Sequence, residues 1–129
     1  MNMQLRKAKL LFIGLATMLC SCGHNYVDDL ATRYAKIKVN DKGYICQIIN
    51  EENGQNYLPD DNPSPVMKLY DGKNYNLPKQ LEVTEGKWIV TFENNSQAVI
   101  TKEVKADSYV RLSLESLSNR DSIQAIAWG

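Results

Sequence analysis

From Lys87 to Glu93 the chain takes strict turns: Trp88, Val90 and Phe92 fall two residues apart, with Lys87, Ile89, Thr91 and Glu93 between them. Side chains alternate sides along an extended backbone, so this stretch reads as a strand with one buried face. The pattern recurs. Ile37 and Val39 lie two apart within Tyr34–Val39, and Val110, Leu112 and Leu114 alternate with Arg111, Ser113 and Glu115. Tyr44–Ile49, Val66–Tyr70, Gln80–Glu85, Gln97–Val104 and Ile123–Trp128 complete the set. Turn formers separate them: Asn40-Asp41-Lys42-Gly43, Asn50 to Gly54, Asp71-Gly72, Gly86, Asn94-Asn95-Ser96 and Ala106-Asp107-Ser108. No stretch carries three turns of amphipathic helix. Short strands at this spacing predict an all-β fold, a small barrel or sandwich.

Two local signals refine that pattern. Pro59, Pro63 and Pro65 lie close together around Asp60-Asp61-Asn62, a proline density that excludes regular structure and predicts a rigid loop. Asp71-Gly72 predicts a hairpin, with Tyr75–Leu77 pairing back until Pro78 breaks the ladder.

The N-terminus carries a different signal. Arg6, Lys7 and Lys9 precede an apolar run, Leu10 to Leu19, that ends in Leu19-Cys20-Ser21-Cys22. The run is too short for a bilayer core, which takes about 20 apolar residues. A charged start, a short apolar run and small residues before a cysteine form an export signal. This predicts a signal peptide over residues 1–21, acylation of Cys22, and a flexible tether over 22–33 before a single β domain over 34–129. Cleavage before Cys22 would remove three of the chain's 15 basic residues and none of its 15 acidic ones, leaving a net charge of −3 on about 108 residues. A mildly acidic domain has no overall field that attracts nucleic acid or anionic lipid.

The N-terminus resembles bacterial lipoprotein precursors, and its Leu-Cys-Ser-Cys form is similar to those of Bacteroides-type bacteria. The resemblance implies several acyl chains, palmitate among them, and permanent attachment to the outer membrane, with the periplasmic or the surface face left open. Acidic residues after the lipid cysteine can route such proteins to the surface, and Asp28 and Asp29 stand six and seven residues on. Tyr44 to Leu117 also resembles a small OB-like barrel of such lipoproteins. The resemblance rests on Tyr57-Leu58-Pro59, Asn76-Leu77-Pro78, Gly86 to Phe92 and Val110 to Leu117. Val66 to Asp71 and the tail after Ser118 depart from that pattern and leave an immunoglobulin-like sandwich as the alternative.

Chemistry is scarce. With Cys20 removed and Cys22 acylated, Cys46 stands alone, so no internal disulfide is available. Within Tyr44–Ile49 it reads as a small buried hydrophobe. The only histidine, His24, sits two residues from the acylated cysteine, which leaves triad chemistry and zinc without ligands. Asp60-Asp61-Asn62 lacks the glycine-centred spacing of a calcium loop. No cofactor or metal is therefore expected, and no catalysis. Tyr57, Tyr70 and Tyr75 flank the proline loop and the Asp71-Gly72 turn, where aromatic rings stack on sugars or pack a partner.

These readings predict a membrane-anchored, non-catalytic binding or accessory module for a protein or polysaccharide partner. The alternative is a lipid-anchored inhibitor of a host or competitor enzyme such as lysozyme, inserting the loop Pro59 to Pro65. A glycan-acting enzyme stands third.

Overall fold

The computed structural model describes residues 25–59 and 62–129, and within them the chain is all-β. The strands are β1 (Tyr26–Ala31), β2 (Ala35–Asn40), β3 (Tyr44–Asn50), β4 (Ser64–Pro65), β5 (Met67–Tyr70), β6 (Tyr75–Asn76), β7 (Pro78–Thr84), β8 (Lys87–Phe92), β9 (Gln97–Lys105), β10 (Tyr109–Leu117) and β11 (Ala125–Trp128). One 3-10 turn, Arg120–Ser122, precedes the last strand. Pairing is antiparallel throughout. It builds three sheets, ordered β1-β2-β3-β4, β10-β9-β8-β7 and β11-β5-β6. None of them closes on itself, so the expected barrel closure is absent.

The alternation read from the sequence sets the core. Trp88, Val90 and Phe92 are fully buried, and their neighbours Ile89 and Thr91 are only half-buried. Ladder partners Ile100 and Ala98 bring their side chains to the same face, opposite Trp88 and Val90. Leu30 and Val39 from the first sheet and Met67 and Leu69 from the third join one cluster with these residues. Each such side chain contributes about 1.5–3 kcal/mol by leaving water. All three sheets therefore share one core.

Turn chemistry fixes the ends. Asn40 Oδ1 accepts the backbone N–H of Lys42 at 3.1 Å and of Tyr44 at 2.9 Å, folding the β2–β3 connection back on itself. Gly43 takes φ +92, and a Cβ there would stand 2.9 Å from that of Pro78. The position needs glycine for both its backbone and its space. Single backbone bonds stitch the sheets together at this end: Leu81 N–H to Asp41 O at 2.7 Å and Val66 N–H to Gly43 O at 2.9 Å.

Three elements differ from the sequence expectation. The end of the proline loop forms β4, pairing Ser64 and Pro65 with Ile45 and Tyr44 at the edge of the first sheet, where proline's missing N–H is tolerated. Within the segment read as a flexible tether, residues 26–31 are a six-residue strand. It buries little, because Leu30 is its one buried side chain while Tyr26 and Val27 stay exposed. It is held by ladder pairing to β2 and by Asp28, whose side chain reaches across to the second sheet. β7 also starts earlier than expected, at Pro78 rather than Gln80. Proline is tolerated as the first residue of a strand, and β7 is the edge of its sheet.

Candidate functional site

Cys22 and His24 lie outside the described residues, as do Asp60 and Asp61 of the proline loop. The fold does place all three candidate tyrosines. Tyr70 and Tyr75 form a cross-strand pair on the β5–β6 hairpin, ring centroids 5.1 Å apart and planes tilted by 43°. Lys68, two residues back on β5, brings its Nζ to 5.1 Å from the Tyr75 ring centroid. Tyr75 is 53% exposed. The pair thus presents an aromatic surface with an ammonium group alongside, a combination that suits stacking and hydrogen bonding.

The turn beneath it is well organised. Asp71 Oδ1 accepts N–H bonds from Asn74 at 2.8 Å and Lys73 at 2.9 Å, and Oδ2 accepts from the Asn76 side-chain amide at 3.2 Å. These donors, that of Asn74 foremost, hold the Asp71 carboxyl below the usual carboxylate range. Gln124 lies over Gly72, and its own N–H donates to Tyr70 O at 2.8 Å, which locks the approach to β11 onto the hairpin. Beside Gln124 an open groove of about 390 Å³ runs between the end of β10 and β11, with Leu114, Leu117, Ile123 and Ile126 in its walls and Arg120 at its side.

Tyr57 does not join this pair. It belongs to the segment that returns along β3, and its hydroxyl accepts from Asn50 Nδ2 at 3.0 Å. The three tyrosines therefore do not form one surface through contacts with each other. In the proline loop the described residues show Asn62 N–H donating to Pro59 O at 3.0 Å.

Cys46 is buried, 3% exposed, and its Sγ lies 3.5 Å from Tyr44 O. Burial pushes its thiol above the ordinary value, only partly offset by the bonds it receives from Asn40. Its surroundings are those of a packing residue and keep the reactive thiolate scarce. Among the described residues no group of three or more His, Cys, Asp and Glu side chains gathers in a metal-binding arrangement.

The most organised polar cluster was not read from the sequence. Asp28 Oδ2 accepts from Trp88 Nε1 at 2.7 Å and pairs with the ammonium of Lys102. Both charged side chains are about one-seventh exposed, at 15% and 14%. Every charge in the cluster is satisfied from within it, which gives it a structural role.

Comparison with protein-family models, with curated proteins and with solved structures finds no significant match for this chain.

Proposed function

We propose that this chain is a bacterial envelope lipoprotein, anchored to the outer membrane through acylated Cys22, and that it serves as a non-catalytic binding or accessory module. One observation supports the reading above the others: a charged, apolar, small-residue leader ending at Leu19-Cys20-Ser21-Cys22 is followed almost at once by folded strand. We read the finer architecture as a β-sandwich, in which β1–β3 and β7–β10 cover opposite sides of the Trp88 core. The contact surface in this reading is the Tyr70–Tyr75 hairpin with Lys68. Its partner is a polysaccharide or protein of the envelope.

Detergent-phase partitioning of the native protein beside Cys22→Ala tests the anchor. The native chain should enter the detergent phase and the variant the aqueous phase. Equal partitioning of the two would remove the anchor and the localisation with it. Protease added to whole cells then separates the two faces of the membrane, since only a surface-facing domain is digested.

A further inference from the structure

We propose that the end of the domain formed by Asn25–Val27 and the Asn40–Gly43 turn lies directly on the lipid surface. The opposite end, at Thr32–Tyr34 and Ala106–Ser108, then points away from it. This inference rests on acylation of Cys22 and adds the orientation of the domain on the membrane.

The argument begins with chain length. Four residue steps separate Cys22 from Tyr26, where β1 begins. Whatever their conformation, four steps span at most about 14 Å. The described chain is already fixed at Asn25, whose carbonyl accepts the N–H of Asp41 at 3.0 Å. No long linker is left to hold the domain clear of the headgroups.

The strands then set a direction. β1 leaves this end and reaches Ala31, and its next turn docks on the β9–β10 turn through Arg33 N–H to Ala106 O at 2.7 Å. Seven strand steps at about 3.3 Å each place Thr32 roughly 23 Å from Asn25. That distance exceeds the reach of the link, so only the Asn25 end is tied to the lipid, and the far end meets it only if the strand lies flat.

The composition of the near end suits a headgroup layer. Tyr26 and Val27 are each 38% exposed. Lys38 stands with its Nζ 5.0 Å from the Tyr26 ring centroid. Lys42 is exposed on the adjoining turn. Tyrosine favours the membrane–water interface, where its ring and hydroxyl meet both phases. Asp28 is paired with Lys102, and the exposed Asp29 and Asp41 balance Lys38 and Lys42, so this end is close to neutral and its fit to the interface rests on Tyr26 and Val27.

The test uses the full acylated chain. Because Cys22 carries lipid and Cys46 is buried, a cysteine introduced as Lys42→Cys or Asp107→Cys takes a single environment-sensitive fluorophore. Each labelled protein is placed in vesicles of phosphatidylethanolamine and phosphatidylglycerol containing a headgroup-nitroxide lipid, and flotation is scored alongside quenching. We expect both proteins to float, the label at 42 to lose most of its emission, and the label at 107 to keep nearly all of it. Flotation with equal quenching, or with the order reversed, overturns the orientation while leaving the anchor intact. Failure to float overturns the anchor, and the orientation falls with it.

Discussion

The indole Nε1–H of Trp88 donates to Asp28 Oδ2 at 2.7 Å across 60 positions of sequence. Trp88 is fully buried, so its one polar atom needs a partner inside the protein. The same oxygen pairs with Lys102, whose Nζ stands 5.9 Å from the Trp88 ring centroid. One carboxylate therefore settles the hydrogen-bonding demand of the largest core side chain and the charge of its neighbour. It also fastens β1, which buries little else than Leu30, to the second sheet.

Replacing Asp28 should be costly in a graded way. Asp28→Ala orphans a buried N–H and a largely buried ammonium together, at about 2–4 kcal/mol. Asp28→Asn keeps an acceptor for the indole and loses only the charge, so its loss should be smaller. Asp29→Asn, at an exposed neighbour, should stay within about 0.5 kcal/mol of the native protein. Urea midpoints rank the three. Equal midpoints for the Ala and Asn variants would mean that the indole bond contributes nothing.

This pairing is long-range, and local sequence pattern carries no sign of it. Trp88, Val90 and Phe92 were legible because their partners in the pattern are two residues away. The Asp71-Gly72 hairpin was legible because its turn chemistry is local. Asp28 reads as a tether acid because its partners, 60 and 74 positions off, leave no local trace. β1 was missed for a related reason: with adjacent acids and one buried residue it shows no alternation, and only its ladder with β2 makes it a strand. The division into three sheets depends on register between distant strands, which no single stretch encodes. The hairpin turn sets Tyr70 and Tyr75 opposite one another, a pairing its local chemistry makes legible. Tyr57 flanks the same proline loop in sequence, but its backbone bonds carry it along β3 instead.

Gly43 and Gly54 give a controlled comparison of space against backbone. Both hold positive φ, +92 and +72, but only at Gly43 would a Cβ strike another group, Pro78 at 2.9 Å. Gly54→Ala should cost about 1 kcal/mol, the ordinary penalty of left-handed backbone. Gly43→Ala adds a steric clash beneath the turn that joins two sheets, and should lose about 2–3 kcal/mol. Thermal melts of the two variants check the order, and a Gly54→Ala loss equal to that of Gly43→Ala would contradict it.

Cys46 should resist modification. Its thiol is buried and its pKa raised, so a thiol reagent at neutral pH should react with the native protein far more slowly than with the urea-unfolded chain. Cys46→Ser would put a smaller, more polar hydroxyl near the Tyr44 carbonyl that already faces Sγ, and should lose only about 1 kcal/mol. Rapid labelling without denaturant would show that β3 opens readily in the native state.

The hairpin surface predicts a separation among the tyrosines. Tyr70→Ala combined with Tyr75→Ala removes the paired rings and should abolish retardation in native gels cast with envelope polysaccharide. Tyr57→Ala, away from that pair, should leave it unchanged. Circular dichroism should be the same in all three proteins. Loss of retardation with Tyr57→Ala alone would move the contact surface to the β3 side.

The Asp71 turn carries a pH dependence whose direction follows from its hydrogen bonds. The N–H groups of Asn74 and Lys73 and the amide of Asn76 favour the ionised carboxylate, so its folded pKa lies below its unfolded one. The unfolded value is about 3.9. A group depressed in this way supports the fold above its unfolded pKa, and that support is lost as pH falls through the folded pKa. The loss is expected to be local to the hairpin, because Asp71 is fully exposed. The Asn74 amide resonance, followed against pH, should therefore titrate with a midpoint below that of an aspartate in an unstructured peptide. In Asp71→Asn the same resonance should stay flat across the acid range, because the titrating group is gone. An ordinary aspartate midpoint in the native protein would mean that these bonds do not persist in solution. The Tyr70–Tyr75 pair would then sit on a loose turn rather than a preorganised one.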